Sequence, residues 1–184
     1  MINFSLNNHI KVKVNPVGRT YLRSKHLEFS RLRGVDPALK FKYEMREEDK
    51  NGYSEWELWD FMWTFEEAFG HPTLRPPVDP DIFLLSGKEV INFNLNDRIK
   101  VKITNNGKDY LNHKFVIWRK MFNHPQPEYT MNDEDENGYS LWQLWDFVGT
   151  FGGAAKCPMF GSVVEPDVLL TTELVGIIKP HGAN

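Results

Sequence analysis

The sequence contains a single cysteine, Cys157, and no apolar run near the roughly 18 residues that a membrane-spanning helix needs. One cysteine cannot form an intrachain disulfide, and the first residues lack the basic start and apolar core of a secretory signal. These absences predict a cytoplasmic protein of a reducing compartment, with no membrane segment.

The sequence also has little net charge, −3 over 184 residues, with a pI near 6.1. This balance leaves no excess positive charge for a long phosphate backbone and disfavours binding of extended nucleic acid. It lacks a phosphate loop, a dinucleotide fingerprint, a paired-cysteine metal site and a nucleophile elbow. We therefore expect no cofactor and no resident metal.

What the sequence does have is a tandem duplication. Residues 2–14, INFSLNNHIKVKV, return as residues 91–103, INFNLNDRIKVKI. Residues 51–65, NGYSEWELWDFMWTF, return as residues 137–151, NGYSLWQLWDFVGTF. Features kept by both copies are expected to serve the fold or a shared site.

The duplication predicts two homologous repeats, residues 1–87 and residues 88–184. Each is near the low end of size for an independent core, and the join between them is too short and too ordinary in composition for a flexible linker. We expect an α+β fold in which the repeats pack as one compact unit with pseudo-twofold symmetry. Each repeat should hold short strands, two helices and a C-terminal strand.

Hydrophobic periodicity places these elements. Alternating apolar and basic side chains predict strands, whereas three-to-four spacing after a helix-start residue predicts helices. The predicted strands are residues 9–14, 98–103, 41–45, 128–131, 82–85 and 168–170, and the first helix of each repeat covers residues 16–33 and 105–122.

The second helix of each repeat is predicted from its start. Ser54 precedes Glu57 by three residues, as Ser140 precedes Gln143, which is the capping-box pattern. The sequence therefore predicts helices that begin at these serines.

The segment before Ser140 invites a calcium interpretation. Asp133, Asp135 and Asn137 alternate before Gly138, as oxygen ligands do in an EF-hand loop. The position of the bidentate glutamate holds Leu144, however, so we favour a tight turn that leads into the helix cap over a metal site.

The second helices are apolar on almost every side, which indicates burial on more than one face. Their tryptophans either pack in the core or line a pocket where flat rings stack on a nucleobase. A carboxylate within such an aromatic stripe needs a partner, either internal or on a ligand. The candidate ligand-binding residues of this group are Trp56, Trp59, Asp60, Trp142, Trp145 and Asp146, with Gly149 in place of Trp63 in the second repeat.

Charge is sorted along each repeat into a basic beginning and an acidic middle. One interpretation is that these solvated faces partly neutralise each other on folding. The other is that the basic residues form an anion-attracting surface. The candidate phosphate-binding residues are Lys11, Lys13, Arg19, Lys100, Lys102 and Lys108.

Catalysis is not expected, because no histidine occupies the same position in both repeats: His9, for example, aligns with Arg98. A single diverged site with Asp60 or Asp146 as general base is the remaining enzymatic alternative.

The IKVK strand, the helix with Tyr-Leu and the NGYSxWQLWDF segment together resemble small bacteriophage and prophage proteins of mostly unassigned role. In those proteins an acidic-Gly-Tyr/Trp-Ser segment leads into a Trp/Phe-Gln-Leu-Trp-Asp/Glu helix. The resemblance covers most of each repeat, departs at Glu57, and implies an intracellular accessory viral protein without catalytic residues.

Two functions follow as hypotheses. The first is a non-enzymatic protein that sequesters a small anionic nucleotide-like ligand between the repeats and so blunts host defence. The alternative is a protein-interaction module that docks on a host protein and inhibits it, with purely structural tryptophans. An exposed Trp59 or Trp145 beside basic groups favours the first, and buried tryptophans with an exposed apolar or charged patch favour the second.

Overall fold

The computed structural model describes residues 2–32, 46–70, 75–86, 89–122, 132–156, 162–171 and 176–178. Two β-sheets and four α-helices form a mixed α+β fold, as predicted. The elements of the first repeat are β1 (Ile2–Ser5), β2 (His9–Val12), α1 (Pro16–Leu32), β3 (Ser54–Glu57), α2 (Leu58–Phe69) and β4 (Asp81–Ser86). The predicted strands at residues 41–45 and 128–131 lie outside the described residues.

The second repeat presents the same order of elements with two additions, a short 3-10 helix and a final strand. Its elements are β5 (Glu89–Asn94), β6 (Arg98–Ile103), α3 (Asn105–Phe122), β7 (Ser140–Gln143), α4 (Leu144–Phe151), the 3-10 helix Gly153–Lys156, β8 (Val164–Leu170) and β9 (Gly176–Ile178).

Each sheet combines strands from both repeats. One sheet has the order β1-β8-β6-β7, and the other has the order β3-β2-β4-β5-β9. The first strand of each repeat therefore joins the sheet of the other repeat, β1 beside β8 and β5 beside β4, both antiparallel. This exchange of first strands was not predicted from the sequence.

The two exchanged strands have matching registers. Phe4 lies opposite Val168 on one side, and Phe93 lies opposite Ile82 on the other. Phe4 and Phe93 are aligned residues of the duplication, as are Ile82 and Val168. All four side chains are buried in one continuous hydrophobic core.

The first helix of each repeat begins at a side-chain cap that the sequence analysis did not identify. The Asn15 side-chain oxygen accepts a hydrogen bond from the Gly18 N–H at 3.0 Å, and the Thr104 hydroxyl accepts one from the Gly107 N–H at 3.2 Å. Each hydrogen bond satisfies one of the N–H groups that lack a partner in the first turn of a helix. Proline occupies the first position of α1, as predicted, and suits it because proline has no N–H group that would lack a partner there.

The capping boxes predicted at Ser54 and Ser140 are wrong. Both serines are buried in the strands β3 and β7, and the second helices begin four residues later. No side chain caps α2, whose first N–H groups, those of Leu58 and Trp59, instead donate to the backbone carbonyls of Asn8 and Leu6. Residues 95 and 97 accept the corresponding hydrogen bonds from α4. The turn after each exchanged strand therefore caps the second helix of its own repeat.

Two glycines allow a close approach between the first helices and the backbone segments that precede β4 and β8. A Cβ atom built on Gly18 would lie 2.0 Å from the Pro77 carbonyl oxygen, and one on Gly107 would lie 2.0 Å from that of Val163. No side chain fits in this space, so the third residue of the first helix must be glycine in both repeats.

Replacement of Gly18 by alanine should destabilise the protein by about 1–3 kcal/mol, because the new methyl group overlaps the backbone at residue 77. This outcome reverses the usual gain of roughly 1 kcal/mol for alanine over glycine inside a helix. Urea unfolding measures the difference. The matched control is Ser24→Ala on the exposed face of α1, which should change stability by less than about 0.5 kcal/mol. Equal stabilisation by both variants would contradict the close packing.

Candidate functional site

All six cations predicted to attract a phosphate form ion pairs with carboxylates of their own repeat. The first repeat contains Lys11–Asp49 at 3.6 Å, Lys13–Asp79 at 4.0 Å and Arg19–Glu48 at 2.6 Å. The second contains Lys100–Asp135 at 2.7 Å, Lys102–Glu165 at 3.8 Å and Lys108–Glu134 at 2.8 Å. Each of these three ion pairs in the first repeat has its aligned counterpart among the three in the second.

These ion pairs weaken the attraction of the basic residues for an anion. Each positive charge lies beside a negative one, so the field that would attract an anion is largely cancelled. Exposed pairs of this kind contribute less than about 1 kcal/mol each to stability. The arrangement agrees with mutual neutralisation of the sorted charges, and a phosphate-binding role of the six residues stays a prediction.

The acidic segment of the second repeat forms a tight turn. The carboxylate of Asp135 accepts hydrogen bonds from the N–H groups of Asn137 and Tyr139, both at 3.0 Å, and Gly138 has a φ of +77°. The hydrogen bond from Lys100 is the largest cause of a lowered pKa for Asp135. The predicted turn is confirmed, although it leads into the strand β7 and not into a helix cap.

The first repeat forms the same turn around Asp49. Its carboxylate accepts hydrogen bonds from the N–H groups of Asn51 and Tyr53, and Gly52 has a φ of +82°. The Tyr53 N–H contributes most to lowering the pKa of Asp49. Within the described ranges of the chain, no group of three or more His, Cys, Asp or Glu side chains could hold a metal ion.

Trp56 and Trp142 lie in strands and belong to the core. They are 4% and 3% exposed, and each indole N–H donates to the serine hydroxyl two residues earlier, Ser54 or Ser140, at 2.8 Å. The prediction that Trp56 and Trp142 belong to the second helices is therefore wrong. A buried indole with a satisfied N–H offers almost no ring surface to a ligand, and a stacking role of Trp56 and Trp142 stays a prediction.

In the first repeat, the carboxylate of Asp60 has an internal partner. Arg46 donates through Nη2 to the Asp60 carboxylate and through Nη1 to the Glu55 carbonyl oxygen at 3.1 Å. The guanidinium carbon also lies 4.3 Å from the centre of the Trp56 ring. One arginine thus joins a carboxylate, a carbonyl and an aromatic face, which a planar guanidinium is suited to do.

The second repeat has Asn132 at the position of Arg46. The Asn132 amide reaches the carbonyl oxygen of Leu141 at 3.0 Å, which is the counterpart of the Glu55 carbonyl. Asp146, the counterpart of Asp60, forms neither an ion pair nor a hydrogen bond with the part of the chain that the structure describes. Burial raises the pKa of Asp146, and the charge of Lys114 partly opposes that rise.

Trp59 lines a cavity of about 430 Å³ between the two repeats. Its walls are mainly apolar, with Met62 from α2 and Phe151 and Ala154 from the second repeat. No lysine or arginine of the described residues lines it. Of the predicted ligand-binding residues, only Trp59 lines this cavity. Trp145 is half-buried and packs against the core.

The helices α2 and α4 pack closely because the second repeat has glycine at the contact. A Cβ atom on Gly149 would lie 3.0 Å from the Gly70 nitrogen, and one on Gly152 would lie 2.3 Å from the Met62 carbonyl oxygen. Trp63, the counterpart of Gly149, is 50% exposed instead. The difference between these positions therefore follows from the contact between the helices.

Lys114 of α3 holds this contact together. Its ammonium donates to the carboxylate of Glu66 at 2.9 Å and to the carbonyl oxygens of Gly149 and Thr150 at the end of α4. It therefore neutralises a carboxylate of the first repeat and satisfies carbonyls of the second.

An exposed apolar surface continues from Lys114 along α3. Ile117, Trp118 and Met121, here called the α3 strip, follow Lys114 by three, four and seven residues and so share its helix face. Ile117 is 47% and Met121 is 69% exposed. This strip was not predicted from the sequence, although the apolar run around Trp118 in a mostly polar helix could have indicated it.

Comparisons with known proteins gave no family model that matches the chain, and no similar curated protein or solved structure. Within the described residues, no helix has both the length and the apolar character required to cross a membrane.

Ser54→Ala should destabilise the protein by about 1–3 kcal/mol, because it leaves the buried Trp56 N–H without an acceptor. In a Trp56→Phe background the same substitution should cost less, since no indole N–H remains. A double-mutant cycle by urea unfolding measures this coupling. Equal losses in both backgrounds would contradict the proposed partnership.

Asp146→Asn should stabilise the protein at pH 7. The raised pKa of Asp146 means that folding disfavours its ionised form, so the wild-type side chain costs stability above that pKa and the cost disappears as the pH falls toward about 4. Urea unfolding over this pH range gives the comparison. Asp60→Asn is the control and should destabilise, since Arg46 loses its partner. Destabilisation by both variants at pH 7 would contradict the assignment.

Proposed function

We propose that the protein is a non-enzymatic protein-interaction module that docks on a partner protein through the α3 strip. The observation that carries the proposal is the exposure of Ile117, Trp118 and Met121 on a helix face that contacts α4 one turn earlier. Soluble proteins rarely leave a contiguous apolar surface of this kind in water unless it binds something. Tryptophan and methionine are also enriched in protein interfaces.

The charges around the strip select the kind of partner. The second half of α3 carries Lys114, Arg119 and Lys120 and no acidic residue. Complementarity then favours an apolar partner surface with an acidic rim. The resemblance to phage accessory proteins makes a host protein the expected partner, and inhibition of a host defence factor the expected result.

The distribution of the other candidate residues supports this choice over anion sequestration. The six predicted phosphate ligands lie in ion pairs, and Trp56 and Trp142 are buried with their N–H groups satisfied. Buried tryptophans together with an exposed apolar patch are the combination expected of an interaction module.

A small nucleotide-like ligand is the second candidate, and the cavity beside Trp59 favours it. Because no described lysine or arginine lines the cavity, a planar and weakly charged ligand fits its walls better than a polyphosphate. A melting-temperature scan against linear and cyclic nucleotides, repeated with Trp59→Ala, distinguishes this candidate from the first. A shift that Trp59→Ala abolishes without loss of folding would favour the ligand.

The double variant Ile117→Ser/Met121→Ser should weaken binding of the partner by tenfold or more, or about 1.4 kcal/mol, because it removes apolar contacts from the strip. A protein captured from host lysate is purified, and its dissociation constant is measured by calorimetry against wild type and variant.

The matched control is Leu32→Ser, at the position of α1 that aligns with Met121 and is also exposed. It should leave the affinity unchanged. An unaltered affinity of the double variant, or an equal loss with Leu32→Ser, would refute the α3 strip as the docking surface.

A further inference from the structure

We propose that Asp146 is a receptor for the guanidinium group of an arginine supplied by a partner protein. The first repeat contains the same site with its own arginine: Arg46 binds the Asp60 carboxylate and the Glu55 carbonyl. The second repeat keeps the carboxylate and the carbonyl but has Asn132 in place of the arginine. An arginine from another chain completes the site that the first repeat completes for itself.

The geometry of the first repeat shows why a guanidinium suits this site. Two of its nitrogens reach two acceptors at once, a carboxylate on the first turn of α2 and a backbone carbonyl in β3. A lysine ammonium is a point charge without this planar fork. In the second repeat, Asn132 uses one lone pair of the Leu141 carbonyl oxygen, and the other remains for an incoming donor.

One contact of the first repeat does not carry over. The guanidinium of Arg46 lies over the Trp56 ring, whereas Trp142 is just as buried without an arginine. The incoming guanidinium therefore binds Asp146 and the Leu141 carbonyl but does not stack on the indole. The site takes its energy from charge-assisted hydrogen bonds, which are the stronger kind.

The electrostatic surroundings leave Asp146 in need of a cation. Lys114 is the nearby charge that acts on it. Its ammonium is already bound to Glu66 and to the carbonyl oxygens of Gly149 and Thr150. A half-buried carboxylate without its own counter-ion destabilises the folded state, and an external guanidinium offsets that cost.

The first test uses the full chain and two blocked tripeptides, acetyl-Gly-Arg-Gly-amide and acetyl-Gly-Lys-Gly-amide, at tens of millimolar and constant ionic strength. Amide NMR shifts of residues 144–147 report binding. We expect saturable shifts with the arginine peptide, at least threefold weaker binding of the lysine peptide, and loss of the response in Asp146→Asn. Equal binding of both peptides, or no saturable shift, would overturn the guanidinium assignment. Because no partner protein is present, the result is independent of the α3 strip.

The second test supplies the arginine from within. Asn132→Arg should raise the melting temperature and abolish binding of the arginine peptide, and it should do neither in an Asp146→Asn background. Stabilisation that persists without Asp146 would overturn the proposal. If Asn132→Arg fails to fold, the peptide titration of wild type and Asp146→Asn still decides the matter.

Discussion

The hydrogen bonding of each exchanged first strand to a strand of the other repeat, β1 to β8 and β5 to β4, is the interaction on which the other features depend. β1 completes a sheet made from the second repeat, and β5 lies in the sheet of the first. The turn that follows each exchanged strand then supplies the backbone carbonyls that cap α2 or α4. The strand exchange therefore fixes the positions of α2 and α4 and so the contact between them. The buried side chains of both repeats form a single core.

The duplication separates what the fold requires from what the molecule can use for binding. The serine–indole hydrogen bonds, the aspartate turns and the close-packed Gly18 and Gly107 occur in both repeats. The differences lie at the surface and at the contact between α2 and α4. At aligned positions of the surface, Arg46 corresponds to Asn132 and Glu28 corresponds to Ile117. Each binding proposal includes one position where the repeats differ in residue type, Ile117 for the α3 strip and Asn132 for the arginine site, and there a shared structural role no longer constrains the side chain.

Periodicity predicted the first helices well, because a long polar–apolar pattern of three-to-four spacing defines them: α3 spans residues 105–122 as expected. It failed at residues 54–57, where serine and glutamate matched a capping box. In β3 the burial alternates, and the side chains of Ser54 and Trp56 are buried. Four alternating residues directly before a helical pattern are too few to identify a strand from the sequence. The partners of the basic residues were also hidden, since they come from turns distant in sequence and only the fold brings them together.

The pairing of β1 with β8 has a consequence for synthesis on the ribosome. Ile2 pairs with Leu170, so β1 has no strand neighbour until the chain has been made as far as β8. Closing so long a loop is entropically costly, and contacts of such high sequence separation slow folding. β1 therefore stays without its strand partner while the residues up to β8 are made, and the two repeats are expected to complete their folding together.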